Sequence, residues 1–500
     1  MRSVFVVAVV TICLPSLLHA KPITESDLRQ HIAILASDDF QGRKPGTEGE
    51  NKTISYIASQ WSKAGLIPAA TGGVWYEPVA LTERKAAGSS AIFSVEANNR
   101  DRDFTASQKN IVLRGREAME NALAVPVVYA GYANEESQEL RRLVSGKIAL
   151  LPLSKPTGRD DLPDYQDRRK QLIQAGATAV ISIVANEGRW NRIKRVVQRG
   201  EMRLEGDDQH ARFEGIIKQK FVRKLLKKAR LDKRQFKIWQ DDRDFRAIDL
   251  PIRADLFAET DLRGLVSHNV VGKIIGSKPK SGAVLFLGHW DHFGECRRED
   301  PDDPGKDRIC NGAVDNASGI SLLIETAKRL ISSKPERDIY FLATTAEEQG
   351  LLGAYAFVEN PPTPIGNFIA AFNADSVAIA KEGTNIAVVG LGETELDPDI
   401  EKVANEEKRE IDRSGKPNAY LKRQDGYVFL EQGIPAYMIT SAFADEALLN
   451  AFIAGAYHDV SDELNDDLPL GGAAADANFH VSLGRYFGST ETFPQKASGE

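Results

Sequence analysis

The C-terminal half of the chain alternates between short apolar segments and helical patterns, and this rhythm limits the possible folds. Five apolar segments are typical of strands: residues 283–287, 339–344, 369–373, 386–389 and 436–440. Between the first two, apolar residues from Ile320 to Ile331 recur at helical spacing. Such alternation predicts an α/β fold with a mixed, mainly parallel central sheet flanked by helices. In sheets of this kind, the active groups lie where the strands end.

Polar side chains follow three of these strands and occur in two further segments. The candidates are His289, Asp291, His292, Asp315, Glu347, Glu348, Asp375 and His458. Taken singly, each has an ordinary structural explanation, such as a helix cap or a solvated helix face. Taken together, they bring carboxylates and imidazoles to one edge of one sheet. Because buried carboxylates repel one another unless a cation neutralises them, the pattern predicts a metal site.

The residue types narrow the choice of metal. Histidines with several carboxylates suit zinc or a similar divalent ion, and one aspartate can bridge two ions about 3.5–4 Å apart. The spacing of His289 and Asp291 allows the imidazole to bind metal while the aspartate orients it. Of the adjacent glutamates Glu347 and Glu348, one can ligate while the other accepts a proton from water.

At these residues the chain resembles the co-catalytic di-zinc aminopeptidases. That family also includes glutamate carboxypeptidase II, glutaminyl cyclases and the catalytically silent transferrin receptors. The resemblance runs from residues 35–43 to 457–458 and includes residues 269–274 before the first strand of the site. Residues 128–132, 146–150 and 175–180 are similar to a protease-associated domain.

The resemblance implies a role for each candidate. His289 and Asp375 would hold one zinc, Glu348 and His458 the other, with Asp315 as the bridge, Glu347 as general base and Asp291 as the aspartate that orients a ligand. The implied cofactors are two Zn²⁺ ions or another divalent metal. The implied reaction removes N-terminal residues from peptides with a free N-terminus, through a hydroxide held on both zincs. His292 is expected only to hydrogen-bond beside the site.

Other functions stay open on the same residues. A glutaminyl cyclase would use a single zinc and close a ring, and a carboxypeptidase would use the same metals with a different pocket. A binding protein with a vestigial site is the third alternative, although such a protein has no physical need for the unligated Glu347. Many relatives read Ser-Asp-His where this chain has Gln424-Asp425-Gly426, in a segment that borders the substrate pocket of the family.

The first 20 residues have the pattern of a secretory signal peptide. Arg2 precedes an apolar run from Val4 to Leu14, and the small Ala20 precedes the expected cleavage point. The run is shorter than the roughly 20 residues that span a bilayer. We therefore expect an exported protein, periplasmic or extracellular, with no stable membrane span.

Signal removal would take Cys13 and leave Cys296 and Cys310 as an even pair. In an oxidising compartment these two could form a disulfide. Two buried thiols are the alternative, but the charged and proline-containing sequence between the cysteines does not suit a core.

A chain of 500 residues exceeds what one hydrophobic core usually serves. We expect a discontinuous peptidase domain over 21–107 and 251–487, an inserted β-rich protease-associated domain over 108–250 and a flexible tail over 488–500. The net charge of −7 gives no reason to expect a nucleic-acid binder. No pattern in the sequence indicates the oligomeric state.

Overall fold

The protein is described here by a computed structural model, which covers residues 21–97, 100–155, 159, 162–207, 210–231, 238–239, 242, 245–297, 300 and 302–494. The predicted signal peptide, residues 1–20, lies outside these residues. The chain forms two compact units: unit 1 comes from Met1–Glu77 and His268–Glu500, and unit 2 is Pro78–Ser267.

The strands follow one another along the chain as listed here: β1 Ile67–Pro68, β2 Tyr76–Ala97, β3 Arg100–Ser107, β4 Ile111–Gly115, β5 Met119–Tyr129, β6 Ile148–Pro152, β7 Ala179–Val184, β8 Glu201–Leu204, β9 Phe213–Lys218, β10 Ile248–Ile274, β11 Ala283–His289, β12 Gly294–Glu295, β13 Ile309–Cys310, β14 Asp338–Thr344, β15 Phe368–Asn373, β16 Ala387–Val389 and β17 Ala436–Thr440. The α-helices are α1 Glu25–Leu35, α2 Glu48–Ala64, α3 Ser137–Val144, α4 Tyr165–Gln174, α5 Glu187–Arg199, α6 Gln219–Lys228, α7 Gly319–Leu330, α8 Leu352–Glu359, α9 Asp397–Glu406, α10 Gly426–Glu431, α11 Glu446–Ala454 and α12 Gly471–Gly488.

The sheet of unit 1 has the strand order β16-β17-β15-β11-β14-β10. Strands β17, β15, β11 and β14 are parallel, whereas β16 and β10 pair antiparallel with their neighbours at either side. The predicted mixed, mainly parallel α/β sheet is therefore confirmed. All five strands that the sequence indicated are present within two residues of their predicted ends.

Both faces of this sheet are covered. Val284 and Phe286 of β11 point into a core that includes Leu323 of α7, and Leu285 and Leu287 point into a second core that includes Phe357 of α8. Because side chains of a strand alternate between the two faces, both faces of β11 are apolar. The continuous apolar segments of the sequence follow from this two-sided burial.

The last described residues pack onto the rest of unit 1. Phe493 is buried, and the Arg337 guanidinium donates to the main-chain oxygens of Phe487, Ser489 and Phe493. The tail predicted to be flexible from residue 488 is therefore ordered through these contacts up to Phe493.

In unit 2, β5, β6, β7 and β9 are parallel neighbours. The unit starts before the predicted boundary at residue 108, because β2 pairs with β3 and β8 and places Phe93 in the core of this unit. At the other end, β10 pairs with β5 up to Glu259, beyond the predicted boundary at residue 250. Whether this unit is a protease-associated domain stays a prediction.

The expected disulfide is present between Cys296 and Cys310, whose Cα atoms are 5.7 Å apart. It lies beside the short β12–β13 ladder, in which Gly294 pairs with Cys310. Within the described part of the chain, every helix is too short or too polar to cross a bilayer.

Candidate metal centre

The candidate site lies at the carboxyl ends of three parallel strands of unit 1. In the ladder, His289 at the end of β11 pairs with Thr344 at the end of β14, and Leu287 pairs with Asn373 at the end of β15. The segments that follow these strands carry the remaining carboxylates. Parallel strands in this register bring the segments together at one edge of the sheet.

The fourth contribution comes from the segment before α7. Gly312 has a positive φ of 59°, and the peptide bond between Asp315 and Asn316 is cis. The buried Asn316 amide donates to the main-chain oxygens of His289 (3.2 Å) and Ala374 (2.9 Å), and its oxygen accepts from Gly319 N–H (2.9 Å). Asn316 thereby connects the start of α7 to two of the strand ends.

One group of possible ligands is formed by His289, Asp315 and Asp375. Each offers an atom within 4.8 Å of the others. The His289 Nε2 atom lies 3.3 Å from Asp315 Oδ1 and 3.5 Å from Asp375 Oδ1. Three donors that face one another at this spacing can surround one divalent cation.

A second group shares Asp315 with the first and consists of His292, Asp315 and Glu348. His292 Nδ1 lies 2.7 Å from Glu348 Oε1. On the same side, His458 Nε2 lies 3.0 Å from Glu348 Oε2 and 3.3 Å from Asp315 Oδ2. Glu348 therefore contacts two imidazoles, whereas the sequence analysis assigned it only His458.

Asp291 and Glu347 belong to neither group, but they contact each other. Asp291 Oδ1 accepts a hydrogen bond from the Glu347 N–H (3.0 Å) and lies 3.7 Å from His289 Nδ1. His289 Nδ1 is nearer to the main-chain oxygen of Asp291, at 3.1 Å. Glu347 Oε2 lies 3.9 Å from His289 Nε2. Asp291 thus orients both an imidazole and the segment that carries Glu347.

The adjacent glutamates have opposite electrostatic environments. Burial, with the nearby charge of Asp375, raises the pKa of Glu347 well above its ordinary value. Burial alone would also raise the pKa of Glu348, but the imidazoles of His458 and His292 lower it. Two carboxyl groups whose pKa values diverge in this way are suited to different roles.

The shared aspartate and the histidines are electrostatically coupled. Burial would raise the pKa of Asp315, but the imidazoles of His289 and His458 lower it well below its ordinary value. Burial would lower the pKa of His458, but Glu348 and Asp315 raise it to about 9. The cluster therefore strongly favours positive charge among its carboxylates.

The chemistry of the site fits divalent metal ions. The Nε2 atoms of His289, His292 and His458 and Oε1 of Glu348 are buried, and none makes a hydrogen bond of good geometry among the described residues. Buried polar atoms nearly always have partners. Imidazole nitrogens and carboxylate oxygens that converge without partners are the donors that zinc prefers.

Two residues near the centre had no predicted role. Asp425 is buried, accepts a hydrogen bond from the Thr344 hydroxyl and has its pKa raised to about 7, chiefly by burial. The buried Asp462 bonds to the main chain of the Asp315 segment. Asp425 lies in a segment that the sequence analysis singled out, and Asp462 follows His458 by four positions, but nothing in the sequence indicated which atoms they would contact.

Comparison with known proteins places the site in a family. Residues 269–479, which include every candidate ligand, match Peptidase family M28. This segment is a family M28 peptidase domain. A probable zinc metalloprotease of Pyrenophora teres f. teres is 36% identical over 112 residues, which cover 22% of this chain and 23% of the relative. Human carboxypeptidase Q is 28% identical over 131 residues, which cover 26% of this chain and 24% of the relative.

The matched segments thus span about a quarter of these curated relatives. Over most of the chain, and not only in the M28 segment, the structure is similar to an aminopeptidase from Aneurinibacillus sp., with a TM-score of 0.55 and 17% sequence identity. The similarity covers 92% of this chain and 93% of the aminopeptidase. It shows that the two chains share a fold.

Proposed function

We propose that the protein is an exported, zinc-dependent exopeptidase that removes N-terminal residues from peptides. One observation carries the proposal: two groups of possible ligands share Asp315, while the carboxylate of Glu347 belongs to neither group. A shared aspartate suits a pair of ions, and a free glutamate beside them suits a general base. The M28 match of this segment supports the same reading.

The proposed ligands follow the contacts. His289 and Asp375 would hold one ion, Glu348 and His458 the other, and Asp315 both. The 2.7 Å contact between His292 and Glu348 makes His292 a further candidate ligand on the second side. When bound, the ions supply Lewis-acid chemistry, which polarises the substrate carbonyl and makes water more acidic.

The residues of the chain provide the proton transfers. Glu347 accepts the proton of the attacking water and delivers it to the nitrogen of the leaving amine, so that the peptide bond breaks into an acid and an amine. Asp291 keeps Glu347 in place through the hydrogen bond to its N–H. Burial of these groups strengthens each electrostatic interaction during the reaction.

Export is supported by two features. Residues 1–20 have the signal-peptide pattern, and the disulfide between Cys296 and Cys310 suits an oxidising compartment.

Two neighbouring substitutions test the assignment of roles. In the zinc- or cobalt-loaded protein that begins at Lys21, Glu347→Gln should keep its metal and lose about 10²–10⁴-fold in turnover of aminoacyl chromogenic amides. The matched Glu348→Gln variant should lose metal, because it removes a ligand. Metal content is measured by elemental analysis. Near-normal turnover by Glu347→Gln, or activity that resists a chelator, would refute the mechanism.

Blocked peptides separate the alternatives. An aminopeptidase cleaves a peptide with a blocked C-terminus and leaves one with a blocked N-terminus intact. The similarity to carboxypeptidase Q makes the reverse preference the second candidate. Ring closure of an N-terminal glutamine peptide by protein with a single metal would instead indicate a glutaminyl cyclase.

A further inference from the structure

We infer that Arg43 and Asp462 act as a pair of positioning residues that fix the segment carrying Asp315 for metal binding. We refer to the two side chains as the Asp315 clamp. The inference rests on the metal centre of the proposed function, but it does not depend on which peptide bond, if any, is cleaved.

Arg43 supplies the donors of the clamp. Its guanidinium is only 1% exposed and donates to four main-chain oxygens: those of Leu35 (2.8 Å), Trp290 (2.8 Å), Asn311 (2.5 Å) and Gly312 (2.9 Å). Among the described residues, it forms no ion pair within 4.0 Å. Burial lowers its pKa to about 10, so the group stays charged at neutral pH.

Asp462 supplies the acceptors. It is 1% exposed, and its carboxylate accepts from the N–H groups of Val314 (2.9 Å) and Asp315 (3.1 Å). Its main-chain oxygen also accepts from Ala313 N–H (3.1 Å). A carboxylate that receives two main-chain N–H groups holds the backbone in one conformation.

Together, the two side chains hold residues 311–315 from both sides. The Arg43 guanidinium binds the carbonyl oxygens at the start of the segment. The Asp462 carboxylate binds the N–H groups at its end. Arg43 also bonds to the oxygen of Trp290, which lies between His289 and Asp291. One guanidinium therefore connects the shared aspartate to the strand end that carries the first histidine.

The charge of Arg43 has a second effect. It is held by carbonyl oxygens, close enough to Asp462, Asp315 and Asp291 that these carboxylates affect its pKa. A buried cation near several carboxylates offsets part of their mutual repulsion. The ligands can therefore stay assembled before a metal ion arrives, which reduces the reorganisation that binding requires.

The chain contains matched residues with a purely structural setting. Arg337 is also 1% exposed and donates to four main-chain oxygens, those of Ser281, Phe487, Ser489 and Phe493. Asp476 is fully buried and accepts from Ser441 and Arg409. Neither contacts a candidate ligand, so substitutions at these two residues report the cost of altering a buried, hydrogen-bonded charged side chain as such.

The test compares metal affinity with stability. The mature protein is prepared as Arg43→Lys and Asp462→Asn, with Arg337→Lys and Asp476→Asn as controls. Zinc dissociation constants are measured by competition with a chromogenic chelator, cobalt spectra report the ligand geometry, and thermal unfolding in chelator reports stability. Removal of an outer partner of a metal site typically costs about 10–100-fold in affinity. We expect that loss for both clamp variants.

The controls decide how the result is interpreted. We expect them to unfold at lower temperature yet bind zinc like the original protein, with an unchanged cobalt spectrum. Clamp variants with unchanged affinity, or controls with an equal loss, would overturn the inference. Asp462→Asn answers the question on its own where Arg43→Lys does not fold. A protein that binds zinc but cleaves no peptide would refute the proposed function and leave the clamp intact.

Discussion

Substitution of Glu77 by glutamine should stabilise the protein at alkaline pH and have little effect in mild acid. The side chain is 4% exposed, and its Oε2 atom accepts a hydrogen bond from Asn269 Nδ2 at 2.7 Å. Its Oε1 atom is buried and has no hydrogen-bond partner among the described residues. Burial outweighs the effect of the Asn269 bond and raises the pKa of Glu77 to about 7. The carboxylate is therefore much less favourable in the folded protein than in the unfolded chain.

The sign and size follow from proton linkage. Because the pKa is higher in the folded state, the stability contributed by the protonated group is present below pH 4.5 and is lost as the pH rises through 7. A change from 4.5 to about 7 corresponds to about 3 kcal/mol of unfolding free energy. This is an upper bound, since relaxation and water entry lower the cost of a buried charge. Glutamine keeps the acceptor for Asn269 but cannot ionise.

Urea unfolding at pH 5 and pH 8 provides the measurement. Relative to the original protein, Glu77→Gln should gain about 1–3 kcal/mol at pH 8 and less than about 1 kcal/mol at pH 5. The exposed Glu359 provides a control, because Glu359→Gln should change nothing at either pH. An equal effect of Glu77→Gln at both pH values would refute the reasoning.

Two further changes test the backbone contacts around the candidate metal centre. Replacement of Cys296 and Cys310 by serine should lower the unfolding free energy by about 3 kcal/mol, because the bridge closes a loop with a sequence separation of 14; an unchanged urea midpoint would contradict this. Gly42→Ala should lower the unfolding free energy for two reasons. The positive φ of Gly42 costs an alanine about 1–2 kcal/mol. Overpacking costs about 1–3 kcal/mol more, because the added Cβ would clash with the Cys310 oxygen. Gly72 also has a positive φ, but no atom lies within 4 Å of the position that its Cβ would take, so Gly72→Ala should show only the backbone cost. If both variants lost the same stability in thermal unfolding, the proposed clash at Gly42 would be refuted.

The sheet of unit 1 was predictable from the sequence because its strands are buried on both faces. Such strands are continuous apolar segments, and the predicted segment 436–440 coincides with β17. The boundary of the insertion was not predictable in the same way. Strand β2 has a mixed sequence with charged residues such as Glu83 and Arg84, and its assignment to unit 2 depends on pairing with the distant β8.

For the candidate site, the sequence predicted that the residues meet at one edge of the sheet but not which atoms contact one another. His289, Glu347 and Asp375 follow strand ends, and their proximity follows from parallel pairing. The contact of His292 with Glu348 depends on how two separate loops meet. Three of the four bonds of the Arg43 guanidinium span more than 240 positions in the chain. No local pattern reports interactions over such distances.

The hydrogen bond between Glu77 and Asn269 also bears on how the chain can be rearranged. It joins the two places where the chain leaves and re-enters unit 1, and the Trp75 oxygen accepts from Val271 N–H nearby at 2.8 Å. Because these places are neighbours, a turn of a few residues could connect them in place of the whole insertion. The cost of closing a loop grows only slowly with its length. This edge of unit 1 can therefore accept inserted segments of very different lengths while the strands that carry the candidate metal centre keep their register.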